Sequence, residues 1–147
     1  MDAIKIANYA LSEILKSYYI KGTELTPYWT HIRFDVYGLN RAKGEMRVLE
    51  IKSCRSDFTS DNKWQKYLPY CTHFAFVAPR GVIKTEELPK KIGLIEVWEQ
   101  DGILRHEYIK KCRKLHDLTD KAYIKILEAI VVRAIQFYAM NRKEIVL

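Results

Sequence analysis

The run Val48-Leu49-Glu50-Ile51-Lys52-Ser53 most constrains the chain: it is apolar enough to be a strand, yet it carries an acid and a lysine two residues apart. Side chains alternate across a strand, so Glu50 and Lys52 project from one face with Val48, while Leu49 and Ile51 project from the other. One face is apolar and the other bears a charge pair. A carboxylate beside an ammonium suits a site that holds a hard cation and steadies a water or an oxyanion next to it. The bland alternative is a solvent-facing ion pair, worth about 0 to 1 kcal/mol.

A cation site needs a second carboxylate, and Asp35 supplies one in the alternating segment His31-Ile32-Arg33-Phe34-Asp35-Val36-Tyr37. Gly38 to Gly44 reads as the reversal between the two strands. Facing residues of an antiparallel pair have a constant sum of positions, so a turn centred between Ala42 and Lys43 sets Asp35 opposite Glu50 and Arg33 opposite Lys52. A slip of one residue would carry Asp35 to the other face and dissolve the group.

Around this pair the chain predicts a mixed α/β domain. Ile4, Ala7, Leu11, Ile14, Leu15 and Tyr18 recur at helical spacing from Asp2 to Tyr19, with Gly22 ending the helix and Glu13 on its solvated side. Thr23 to Thr26 reads as a short first strand before Pro27; Glu24 there is either a further metal ligand or an exposed strand-edge acid. After Ser53, polar residues with aromatics at helical intervals predict one helix or two turns broken near Ser60, closed by Pro69. Asp57, Asp61, Trp64 and Leu68 share its face. His73 to Ala78 reads as a buried strand. Gly93 to Glu99 and Ile103 to Ile109 form a hairpin through Gln100-Asp101-Gly102. The last helix, Thr119 to Met140, is apolar over about half its circumference, which suits a deep core helix or a homodimer contact.

The length of 147 residues fits one domain spanning 1–147 with its own core. A formal net charge of +7 favours an anionic partner such as nucleic acid. Cys54, Cys71 and Cys112 have no zinc-like spacing, which predicts a reducing, cytoplasmic setting with Cys54 and Cys71 as small buried residues. No run approaches bilayer length, so no membrane partner is expected.

Arg33-x-Asp35, Val48-Leu49-Glu50-Ile51-Lys52-Ser53, Asp57-Phe58, Asp61-x-Lys63-Trp64-x-x-Tyr67, Cys71 and Phe74-Ala75-Phe76-Val77 together resemble the MmcB family of DNA-repair proteins, a branch of the PD-(D/E)XK nuclease superfamily. Phe34 stands where the superfamily name has proline, and Gln65 follows Trp64 where the family often has proline. The resemblance implies a restriction-endonuclease-like αβββαβ core followed by a β-hairpin and a helix. It also implies a Mg²⁺-dependent (or Mn²⁺-dependent) DNA endonuclease of repair or recombination. Asp35, Glu50 and the Ile51 main-chain carbonyl would hold the metal, with Glu24 a further candidate, and Lys52 would orient or activate the attacking water. Arg33, Ser53, Lys63, Trp64 and Lys66 are the DNA-binding candidates, although an aromatic such as Trp64 or Tyr67 at helical spacing ordinarily packs in a core. His31, on the Asp35 face by parity, is expected to be structural or exposed.

Rival readings are a non-catalytic DNA-binding module on the same fold, a Holliday-junction resolvase-like nuclease, and a partner-binding protein that uses the last helix.

Overall fold

The computed structural model describes residues 1–142. Its centre is a six-stranded mixed sheet in chain order, formed by β1 (Ile20–Leu25), β2 (Phe34–Asn40), β3 (Glu45–Ile51), β4 (His73–Pro79), β5 (Gly93–Gln100) and β6 (Ile103–Lys110). β1, β2 and β3 are antiparallel, β3, β4 and β5 are parallel, and β6 returns antiparallel. Parallel neighbours need a crossover, and the segment between β3 and β4 supplies one with α2 (Arg55–Thr59) and a 3₁₀ turn at Trp64–Tyr70.

The β2–β3 register follows the anticipated constant sum, with Val36 opposite Leu49 and Tyr37 opposite Val48. The reversal is tighter than Gly38–Gly44: Gly38, Leu39 and Asn40 stay in β2, and Arg41–Gly44 make the turn, where Gly44 adopts φ 61°. β1 begins at Ile20 rather than Thr23, because Gly22 pairs with Tyr37 inside the strand instead of ending the preceding helix. The predicted hairpin forms at Asp101-Gly102, both with positive φ (53° and 76°), as a tight two-residue turn requires.

Alternation along β3 sorts the core into two layers. Leu49 and Ile51 face Ile6, Ala10, Ile14 and Leu15 of the N-terminal helix, while Met46 and Val48 face Trp64, Phe74, Phe76 and Ile126 on the other side. Both faces of β3 are therefore apolar, and the charge pair sits at the end of one of them. The N-terminal helix is shorter than Asp2–Tyr19: α1 spans Ala3–Tyr9, is capped by the Asp2 carboxylate on the Lys5 N–H (2.7 Å), and widens into a π turn at Ala10–Ile14. A regular 3.6-residue period would bury Ile4, but Ile6 is buried and Ile4 is 75% exposed. The π turn changes the phase of the helix so that both Ile14 and Leu15 point inward.

The last helix, α3 (Asp120–Arg142), starts where Thr119 Oγ1 accepts the Ala122 N–H at 3.1 Å. Ala122 and Ile126 anchor it in the core, whereas every residue from Val131 to Asn141 is exposed. Its broad apolar face is thus only partly core. No helix among the described residues is long and apolar enough to cross a membrane. All three cysteines are free; Cys71 is buried as expected, but Cys54 is exposed because it lies on the solvent side of the turn into α2.

Gly93 opens β5 against the segment that leaves β6. A Cβ there would stand 2.8 Å from the Cys112 backbone nitrogen and 3.0 Å from the Lys110 carbonyl oxygen, and neither backbone atom can swing away. Gly93→Ala is therefore expected to cost about 1–3 kcal/mol in urea unfolding. An unchanged midpoint would mean that residues 110–112 are not held against β5.

Candidate functional site

Glu50, Ile51 and Lys52 lie at the carboxyl end of β3, beside β4 on one side and the start of β2 on the other. They share an open cleft of about 560 Å³ with Asp35, Asp57, Glu24 and Arg33, and α1 closes the opposite wall with Ala3, Ile4, Ala7 and Asn8. The register that places Val36 opposite Leu49 brings Asp35 onto the last residues of β3, where its Oδ2 accepts the Ile51 N–H at 2.8 Å.

Neither member of the charge pair faces solvent. Glu50 is 5% exposed and Lys52 6%, which removes the surface ion pair as an account of them. The Glu50 carboxylate is 3.8 Å from Lys52 Nζ, but its Oε1 is fully buried with no N–H or O–H donor in reach. The carboxyl it adjoins, Asp35, is a second acceptor unless a proton is shared between them. Burial, then a hydrogen bond shared with the Asp35 carboxyl and the charge of that group, push the Glu50 acid up to about 10.

Lys52 has a closer partner. Asp61 Oδ2 lies 2.7 Å from Nζ, while Asp61 Oδ1 accepts the backbone N–H groups of Lys63 (2.8 Å) and Trp64 (3.2 Å). Burial alone would lower the Lys52 ammonium, but the bond to Asp61 and the charges of Glu50, Asp61 and Asp57 reverse this, so its net shift is upward. Burial likewise opposes the Asp61 anion, yet the Lys52 and backbone donors hold it below the ordinary carboxylate range. The ammonium is thus fixed in place and kept charged by a carboxylate that is itself fixed by the backbone.

Aromatic side chains floor the site. Trp64 stacks on Phe74 (centroids 5.5 Å apart) and meets the edge of Phe76 at 5.4 Å, and Tyr67 packs edge-on against Phe34. The Tyr67 hydroxyl is pushed up to about 12 by burial and then by the nearby carboxylates of Glu50, Asp35 and Asp61.

Several anticipated roles change. Arg33 does not flank Lys52: the β2–β3 ladder ends before it, and Arg33 pairs with Glu24 at 3.7 Å, both side chains more than 60% exposed at the cleft mouth. Lys52 instead stays with β4 through its N–H to the Val77 carbonyl. Trp64 is a core residue, 8% exposed, and is unavailable for DNA contact. Lys63 and Lys66 are exposed but do not line the cleft, and Ser53 is half-buried, giving its N–H to Asp57 Oδ2 at 3.2 Å. The helix after Ser53 breaks at Ser60 as one alternative had it, but Pro69 lies within the following 3₁₀ turn rather than closing it. His31 is exposed beyond the start of β2. The Lys52–Asp61 bond was not legible in the sequence beyond the presence of Asp61 in the quoted pattern; its signal would have been an acid in the loop that follows a strand bearing a buried lysine.

The donor set suits a hard cation. An orphaned buried carboxylate oxygen beside a second carboxylate calls for either a proton or a positive ion, and Mg²⁺ is commonly held by one or two carboxylates and substrate phosphates. No group of three or more His, Cys, Asp and Glu side chains gathers at a metal-sized site among the described residues. An ion here would draw on Asp35 and Glu50 together with main-chain or substrate oxygens.

No curated protein matches the chain. A solved structure of a protein of unknown function from Silicibacter pomeroyi shares the fold, with a TM-score of 0.74 and 24% identity over 100% of this chain and 97% of that one. The family described as DNA repair protein MmcB-like matches residues 9–140, the span that carries the sheet, the cleft and most of α3. The chain belongs to the MmcB-like family of DNA repair proteins.

Proposed function

We propose that the protein is a Mg²⁺- or Mn²⁺-dependent deoxyribonuclease of the PD-(D/E)XK type, hydrolysing DNA phosphodiester bonds at the carboxyl end of β3. The observation that carries this reading is the partnerless, buried Glu50 Oε1 beside Asp35 and Lys52. A side chain left so costly to bury is tolerated where a ligand completes it. The order helix, three strands, helix, strand and the antiparallel-then-parallel sheet support the αβββαβ reading.

Asp35 and Glu50, with the Ile51 carbonyl, would hold the cation; when bound, it supplies positive charge against the phosphate oxygens as the transition state forms. Lys52, held charged by Asp61, donates rather than abstracts: it orients a water toward phosphorus and steadies the developing negative charge. Burial of the cluster strengthens each of these interactions relative to water. Arg33 at the cleft mouth is placed to exchange Glu24 for a backbone phosphate.

Asp35→Ala is expected to lower Mg²⁺-dependent cleavage of mixed DNA substrates by at least about 100-fold. The heat of Mg²⁺ binding should vanish with it, while DNA binding in EDTA persists. Full cleavage by this variant would sink the site. DNA binding by the wild type with no cation affinity and no product would favour a binding module on the same fold.

A further inference from the structure

The loop between β1 and β2 presents a feature that the cleft chemistry does not use. Trp29 is 84% exposed, and its backbone sits in the left-handed region at φ 60°. Burial stabilises a tryptophan strongly, and an exposed one in this conformation is costly twice over: it forgoes its apolar area and adopts a backbone that favours glycine or asparagine. The loop is nonetheless set. Thr30 Oγ1 donates to the Pro27 carbonyl at 2.7 Å, Tyr28 N–H donates to the Lys125 carbonyl of α3 at 3.1 Å, and the Tyr28 ring meets Trp29 edge-on with centroids 5.4 Å apart.

The middle of this loop rests on α3, where Tyr28 lines an apolar cavity with Ile124, Leu127 and Val131, but its two ends reach the cleft. Glu24 and Arg33, which bracket it, both line the cleft with Asp35 and Glu50. Glu24 also has positive φ, at 54°; the other such non-glycine residue described, Asp101, lies in a hairpin turn that demands it. Backbone strain outside such turns collects at functional sites. Chain length alone keeps Trp29 within about 14 Å of Arg33, or about four nucleotides along a strand.

We propose that Trp29 is a stacking platform for an unstacked nucleobase, so that the cleft takes DNA with single-stranded character rather than intact duplex. A π face is the chemistry an exposed indole offers, and every base can occupy it without sequence preference. The net charge of +7 and the Arg33 guanidinium at the cleft mouth supply the matching attraction for the backbone beside that base. This inference rests on the reading of the cleft as a DNA site, catalytic or not, and names the form of DNA it takes.

The test is binding in EDTA of the wild type, Trp29→Ala, Trp29→Phe and Trp29→Asn to a single-stranded oligonucleotide and to the blunt duplex of the same sequence. Trp29→Ala is expected to lose about 5- to 150-fold in affinity for the single strand and much less for the duplex, and Trp29→Phe to recover most of the loss. Wild-type tryptophan emission should be quenched on saturation with the single strand, and the quench should be absent in Trp29→Phe. Trp29→Asn should melt at or above the wild-type temperature while binding poorly, since asparagine accepts the left-handed backbone; a lower melting temperature would make Trp29 a structural residue and overturn the proposal. Single-strand affinity unchanged in Trp29→Ala would also overturn it, as would an oligomer that dissociates in this variant without change in DNA affinity, which would make the residue a protein contact. Wild-type protein that yields no Mg²⁺-dependent product yet binds single strands through Trp29 would sink the nuclease reading and leave this one standing. A wild type that binds no DNA would sink both.

Discussion

Glu50→Gln is expected to make the protein inactive and more stable at once. Glu50 titrates at about 10 in the folded protein against an ordinary 4.5, chiefly because burial penalises its anion and secondarily because Asp35 adjoins it. Between those values the native state holds a proton that the unfolded chain has released, so stability falls as pH rises through the window and is regained below its lower edge. At pH 7 the penalty is on the order of 3 kcal/mol, and an uncharged amide escapes it. Urea unfolding should therefore show a higher midpoint for Glu50→Gln at pH 7 to 8, with the gap closing toward pH 4. Cleavage should fall by about 1,000-fold, and added Mg²⁺ should raise the melting temperature of the wild type but not of the variant. A variant no more stable than the wild type at any pH would show that Glu50 has a proton-independent partner and would remove the main ground for a cation there.

Trp64→Ala is expected to cost about 3–5 kcal/mol in urea unfolding. Trp64 is 8% exposed, stacks on Phe74, abuts Phe76, and donates its backbone N–H to the Asp61 oxygen opposite the one that grips Lys52. Its loss would open a cavity beneath the site and loosen the Asp61 loop, so cation affinity of the remaining folded protein should weaken as well. Unfolding unchanged with single-strand affinity lost would instead return Trp64 to the role of a base contact. The opposite expectations for Trp64 and Trp29 follow from exposure alone: one indole is spent on the core and the other is left in water.

Much of the geometry of the candidate site was legible in the sequence. Asp35 and Glu50 meet because strand alternation and a short reversal are local rules, and the turn centre between Ala42 and Lys43 sets the sum that places Val36 opposite Leu49. The hairpin at Asp101-Gly102 was legible for the same reason, since those residue types accept the positive φ the turn imposes. Phase errors arose where a local rule was overridden at a distance. Ile4 belongs to a regular helical stripe, but the π turn at Ala10–Ile14 rotates Ile6 into the core and leaves Ile4 at the cleft wall. Arg33 and Lys52 satisfy the arithmetic of facing residues, yet the ladder ends before reaching them, and each takes a partner from a different element.

What the sequence by itself determined is which side chains share a face: period and register depend on neighbours along the chain and on one tight turn. Only the tertiary structure decided what covers those faces. The burial of Glu50, the fixing of Lys52 by Asp61 and the exposure of Trp29 depend on which α1, 3₁₀ and loop segments lie over the ends of the strands. Desolvation is a sum over atoms that are close in space and remote in sequence, and it turns an ordinary surface acid into a buried one without a partner.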